Sequence, residues 1–222
     1  MGHPSAAPPA PTRPARPGRR QRRQAETRER IYRAALHIFA RRGYGAATIE
    51  QITEAADVGK GTFFNYFPSK EHLLAAFGEL QLGKARSVAE QYAGSRPLRE
   101  VLHLMIHKLA EEPGRSRGLV RSLLSGTLSG DAAGRIVSEH WALGRQRIAG
   151  LFAAAQRTGE LCCDRTPAEL ALFLQQCYMG ALIFWTMTPG QRLVDILDQM
   201  LDLFWAAGIQ KAPAQRKREV HP

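Results

Sequence analysis

Between Thr48 and Pro68, in "TIEQITEAADVGKGTFFNYFP", the chain spells out two short helices and the break between them. Thr48 is a good N-cap, and Gln51 three residues on completes a capping box. The helix it starts carries Ile49, Ile52 and Ala56 inward, and Asp57-Val58-Gly59 ends it. Gly59 then caps a second helix that runs to about Tyr66 and is closed by Pro68, which cannot donate to a helical ladder. On this second helix Phe63 and Phe67 are an i, i+4 pair on one face, and Asn65 points the other way. Upstream, from Thr27, Ile31, Ala35, Ile38 and Phe39 share a face until Gly43 stops the helix; downstream, Ser69 with Glu71 and His72 behind it starts another. A basic helix followed by two short ones joined by a tight turn is the helix-turn-helix pattern.

The rest of the chain is helical too. Apolar periodicity predicts helices over 97–111, 116–128, 131–157, 166–187 and 190–207, punctuated by Pro97, Pro113-Gly114, Gly130, Thr158-Gly159 and Pro189-Gly190, and no strand alternation occurs. An all-α fold is expected. It divides into a basic arm over 1–26, a helix-turn-helix domain over 27–82, a helical domain over 83–210 and a basic tail over 211–222. The arm is rich in proline and arginine, including Arg22 and Arg23, and reads as disordered; it can hold DNA or merely keep the chain soluble. The last two predicted helices are apolar over so much of their circumference that a subunit interface is expected beside the core, with a purely internal core as the alternative.

Charge separates these regions. Residues 1–86 carry 15 Lys and Arg against 7 Asp and Glu, residues 87–210 carry 12 against 12, and residues 211–222 carry 4 against 1. A basic front and a neutral body suggest a polyanion binder joined to something with another task. Three cysteines, two of them the neighbours Cys162 and Cys163, make no disulfide framework, so a cytoplasmic location is expected. The N-terminus has no apolar signal region, and the longest strongly apolar stretch, Cys177–Trp185, is nine residues, about half of a bilayer span; no membrane partner is expected.

The run "TRERIYRAALHIFARRGYGAATIEQITEAADVGKGTFFNYFPSKEHLL" resembles the N-terminal domain of the TetR family of bacterial transcriptional regulators. The resemblance implies a ligand-responsive, sequence-specific regulator, most simply a repressor. Its two copies would place their recognition helices in successive major grooves of a palindromic double-stranded operator, and its C-terminal domain would hold a small molecule. It also implies that Lys60, Gly61, Thr62, Phe64, Asn65 and Tyr66 face DNA and that Lys70 meets phosphate. Two positions depart from the family's habit: Phe64 stands where Tyr is frequent, and Asp57 where Gly is frequent. On the residues alone, Asn65 can pair with adenine N6 and N7 or be an ordinary exposed amide, while the bare Gly61 lets the helix N-terminus approach closely. Thr48 joins the DNA-facing set as the cap of the first short helix.

Other groups give weaker signals. His103 and His107 stand i, i+4, a spacing that can hold one metal, but Leu104 occupies the place where a zinc protease has Glu, so pocket-lining or surface histidines are expected and no metal. Trp141, Phe152, Phe173, Tyr178 and Trp185 are candidates, with those histidines, to line a cavity for a hydrophobic effector. Cys162 and Cys163 have only Arg165 nearby to lower a thiol pKa, which makes a sensing role the less favoured one. No G-x-S-x-G, Walker loop or G-x-G-x-x-G after a strand is found, so neither an enzyme nor a cofactor is expected. The alternatives to a repressor are an activator or a protein that coats DNA without sequence preference.

Overall fold

The computed structural model describes residues 18–129, 132–161 and 164–206. These form nine α-helices: α1 (Arg19–Arg42), α2 (Ile49–Ala55), α3 (Lys60–Tyr66), α4 (Glu71–Tyr92), α5 (Leu98–Ala110), α6 (Arg117–Leu128), α7 (Ala132–Arg157), α8 (Pro167–Met187) and α9 (Leu193–Ala206), with a 3-10 turn at Pro113–Arg115. Among the described residues there is no strand. Cys162, Cys163, residues 1–17 of the arm and the 211–222 tail lie outside them.

The punctuation read from the sequence operates as physical stops. Thr48 accepts a hydrogen bond from Gln51 N at 3.3 Å while Gln51 Oε1 accepts one from Thr48 N. Gly43 leaves α1 with φ 81°, and Asp57 takes the left-handed conformation with φ 50° that a β-carbon tolerates only at a cost. Arg30 steadies that turn by donating to Asp57 O at 3.3 Å.

Three boundaries differ from expectation. Helix α1 begins at Arg19, not Thr27, so the last residues of the supposed disordered arm, Arg22 and Arg23 among them, are helical. After the N-cap Gly18 no glycine or proline follows until Gly43, and Arg22 pairs with Glu26 one turn on at 3.4 Å. The boundary expected at residue 82 falls inside α4, which runs unbroken for 22 residues. That helix starts at Glu71, with Ser69 bonding both the Glu71 carboxylate and His72 Nδ1 ahead of its first turn.

Two cores result. One joins α1–α4 around Phe39, Phe63, Phe67 and Leu73, and it also takes Leu119 from α6 and Ala133 from α7. The other joins α5–α9 around Phe152, Leu174, Leu197 and Phe204. Where α6 crosses α1, a β-carbon on Gly118 would sit 2.1 Å from Ala40 O, so only glycine allows that approach. Where α7 crosses α4, a β-carbon on Gly78 would come within 2.6 Å of the His140 ring.

Helix α8 extends the strongly apolar stretch Cys177–Trp185 toward both ends. By length and composition it could cross a membrane, and only a third of its most apolar window is buried. Gln175 and Gln176 interrupt the apolar run, while the residues before them, among them Leu172 and Phe173, extend it. Its buried side, with Leu170, Leu174, Tyr178 and Trp185, packs into the core. Its outer side carries Leu172, Phe173, Ile183, Phe184 and Met187 in the open, and α9 adds Leu203.

Candidate functional site

Helix α3 is held by its rings. Phe63 and Phe67 are fully buried with centroids 6.0 Å apart, and the Arg28 guanidinium caps the Phe67 ring at 5.1 Å. The buried pair fixes which side of the helix meets solvent. Lys60, Gly61, Phe64 and Asn65 are exposed; Thr62 and Tyr66 are half-buried. Phe64 remains 48% exposed even though its ring meets Phe63 edge-on at 5.4 Å. Space within 4 Å of a β-carbon at Gly61 is open, so a polyanion can come close to the first turn.

Two lysines do more inside the protein than the sequence suggested. Lys60 pairs with Glu50 of α2 at 2.5 Å, and that hydrogen bond holds the Glu50 carboxyl below its usual range. Lys70, expected to meet phosphate, instead turns inward. Its ammonium donates to Tyr44 O at 2.9 Å and Ala47 O at 3.1 Å and lies over the Tyr44 ring at 4.5 Å. It thereby ties the α1–α2 connection to the start of α4. Beside it, the Ser69 hydroxyl, and then Tyr44 donating at 3.2 Å, hold Glu71 below the ordinary carboxylate range. Thr48 is exposed but spends its hydroxyl on the cap of α2.

A cavity of about 420 Å³ opens between α4, α5, α6, α7 and α8. Leu102, Met105, Ile106, Trp141, Leu174 and Tyr178 wall it, and Trp141 and Tyr178 approach to 6.0 Å. Burial pushes the Tyr178 phenol above its ordinary range, so it stays neutral. Polar groups are few: Gln81, Thr127, His140, Gln175, the carboxylate of Glu90 and three arginines. Arg86 pairs with Glu90 at 2.7 Å, Arg145 donates to Gln175 at 2.8 Å, and Arg147 donates to Leu82 O at 3.1 Å. Gln81 donates to Leu109 O at 2.8 Å, but its buried Oε1 has no partner among the described residues.

Of the seven ligand candidates, only Trp141 and Tyr178 line this cavity. Phe152 is fully buried in the core against Phe204. Phe173 is 47% exposed and stacks on Phe204 from outside. Trp185 is committed elsewhere, bonding Gln191 O at 2.9 Å under the Arg117 guanidinium. His103 and His107 point away from the cavity toward α9, where both meet Asp198. The residues missed, Gln81, His140 and the arginines, carry a signal only in hindsight: they are polar positions on the inner flank of amphipathic helices.

Residues 31–77 match the sequence family described as bacterial regulatory proteins, tetR family. The repressor KstR of Mycolicibacterium smegmatis is 31% identical over 162 residues, covering 72% of this chain and 76% of that protein. The transcriptional repressor FadR of Thermus thermophilus, solved in complex with lauroyl-CoA, is 32% identical, with a TM-score of 0.64 over 85% of this chain and 99% of its own. This chain belongs to the TetR family. Against another relative, the regulator YerO of Bacillus subtilis, the 36% identity extends over 85 residues and only 29% of that protein's length. FadR of Bacillus subtilis, in complex with stearoyl-CoA, shares the fold at a TM-score of 0.70 and 21% identity. As a TetR-family member the protein is a dimeric, DNA-binding transcriptional repressor that responds to a small molecule. Its helix-turn-helix is α2–α3, and the apolar chamber lies behind it.

Proposed function

We propose that this TetR-family repressor senses a long-chain acyl thioester of coenzyme A. The observation that carries the reading is the cavity itself: an aliphatic and aromatic chamber whose polar lining includes three arginines. Such a site takes an apolar chain inside and phosphates at an arginine-bearing mouth. Its volume of about 420 Å³ lies within the range of small-molecule sites. The lauroyl-CoA complex of the Thermus thermophilus relative supports the same chemistry. The unpartnered Gln81 Oε1 offers an acceptor to a donor on the ligand.

In this reading α3 enters the major groove, with Asn65 on a base edge and Phe64 and Thr62 beside it. The α2 cap at Thr48 and the arginines of the α1 extension, Arg22 and Arg23, lie along the phosphates. The dimer closes through the exposed apolar sides of α8 and α9. The protein works in the cytoplasm and carries out no catalytic step; binding alone does the switching.

Operator binding measured against lauroyl-CoA, coenzyme A and laurate tests the proposal. Lauroyl-CoA is expected to release the operator at low micromolar concentration, and each of its halves alone to act at least 10-fold more weakly, because neither fills both chamber and mouth. By linkage, operator must weaken lauroyl-CoA binding by the same factor. Undiminished operator affinity at saturating lauroyl-CoA would overturn it.

A further inference from the structure

We infer that His103, His107 and Asp198 form a binding site for one divalent transition-metal ion of the zinc type, fastening α5 to α9. The two imidazoles rise from successive turns of α5, and the carboxylate reaches them from α9 across 95 residues of sequence. Asp198 Oδ1 lies 3.2 Å from His103 Nδ1 and 2.7 Å from His107 Nε2, and the three ligand atoms all fall within 4.8 Å of one another. Bonds of about 2.0–2.2 Å to a tetrahedral ion place its donors roughly 3.4 Å apart, so small side-chain rotations admit the ion at the point where the three atoms converge.

The surroundings match the chemistry. His103 Nε2 faces Asp202 Oδ1 at 3.7 Å, and Arg99 holds Asp202 at 2.7 Å. A ligating imidazole commonly gives its second N–H to a carboxylate, which fixes the tautomer and raises its basicity; Asp202 stands where that partner belongs. Two imidazoles and one carboxylate suit zinc, cobalt or nickel better than calcium or magnesium. Three protein ligands leave a fourth position for water. His107 is half exposed, so the ion has a way in.

The site also survives dimerisation. At about 100° per residue, Asp198 and Asp202 fall on a flank of α9 away from Leu203, the exposed apolar residue of that helix. The other face of α5, with Met105 and Ile106, lines the effector cavity. A metal ion there would therefore bias a helix that touches the effector, whatever that effector is. The inference does not depend on the acyl-CoA reading.

The competing account is a plain staple, two imidazole N–H groups donating to one carboxylate. Co²⁺ titration of the full chain separates the two. A four-coordinate site gives visible ligand-field bands that saturate at one ion per chain and bleach when Zn²⁺ is added, and Zn²⁺ raises the melting temperature. His103→Gln and His107→Gln should each weaken Co²⁺ binding at least 10-fold, and Asp202→Asn by about 10-fold as an outer partner. Asp198→Asn is the decisive variant. Its amide oxygen still accepts from an imidazole N–H, so a staple persists and the metal-free melt stays near the parent's, while the ion loses its anionic ligand. Cys162, Cys163 and the remaining histidines are unchanged in every variant, so binding elsewhere appears as a constant background. Co²⁺ bands and zinc-induced melting shifts that are the same in the parent, His107→Gln and Asp198→Asn proteins would overturn the assignment, as would the absence of bands in the parent.

Discussion

Helices α3 and α8 both bury one face and expose the other, and the exposed faces are chemically opposite. Outside its buried pair of rings, α3 shows solvent a lysine, a glycine, an asparagine and one phenylalanine. Outside its buried side, α8 shows two leucine-type residues, two phenylalanines and a methionine that is 75% exposed. A partner for α3 must be hydrated and charged, because Asn65 and the first-turn amides keep their hydrogen-bonding capacity only against a polar surface. A partner for α8 must be apolar, since an open patch of that composition is unstable in water. Length matters as well: seven residues cannot hold themselves in a helix and depend wholly on packing, whereas 21 residues can present a continuous surface.

The comparison breaks most visibly at Phe63. Phe63→Ala empties the centre of the α1–α4 core and should cost about 3–5 kcal/mol of stability. Thermal melts should show the loss, and operator binding should vanish while sedimentation still reports a dimer. Loss of both properties together would mean that the two faces are not independent.

On α8, Phe184→Asp places a charge in the apolar stripe without touching the core, as Phe184 is 55% exposed. It should weaken the dimer by about 2 kcal/mol or more, roughly 30-fold, and operator affinity should fall with it. A parent-like sedimentation profile would move the interface to another surface.

A smaller effect is expected at Asn65, where removing a bidentate base contact costs about 1–3 kcal/mol of discrimination. Asn65→Ala should relax preference at one symmetric pair of operator positions and leave the salt dependence intact, read from binding to single-base variants at several salt concentrations. Unaltered base preference would pass the reading role to Thr62 or Lys60.

The smallest effect sharpens the comparison at its edge. Because the Lys70 ammonium is spent on Tyr44 O and Ala47 O, Lys70→Met should lower stability by about 1 kcal/mol, allowing for partial exposure. The slope of log affinity against log salt should then change by much less than the roughly 0.9 that each lost phosphate contact brings. A full step in that slope would restore Lys70 to the DNA surface.

What could be read in advance follows from how far each determinant reaches along the chain. Thr48 with Gln51, the Gly59 start and the Pro68 stop act within four residues, and the elements they bound are where the residues placed them. The inner position of Phe63 and Phe67 follows from helical spacing alone. The inward turn of Lys70 is not legible in the sequence, because its acceptors lie 23 and 26 residues earlier, brought near only by the α1–α2 turn. For His103 and His107 the i, i+4 spacing defines a face but not whether that face meets the cavity or the surface; the answer, Asp198, is more than 90 residues away. Aromatic content likewise marked α7, α8 and α9 as apolar without saying which rings border empty space. Phe152 and Trp141 share a helix, and only packing decides that the first fills the core and the second bounds a cavity.

The close approach of His140 to Gly78 turns α4 into a lever with a bearing. Seven residues separate Glu71 from Gly78 and fourteen separate Gly78 from Tyr92, so at about 1.5 Å per residue the arms are roughly 10 and 21 Å long. Cavity-lining residues lie on both arms, Leu74 and Phe77 on the short one and Gln81, Ala85 and Ala89 on the long one, and Leu73, seated in the core that holds α3, shares the short arm. If α4 turns as a rigid rod about this crossing, its long end moves about twice as far as its short end, which abuts the core around α3. A ligand-bound structure in which Gly78 and His140 slide past each other, instead of rolling in contact, would replace that bearing with a shear plane.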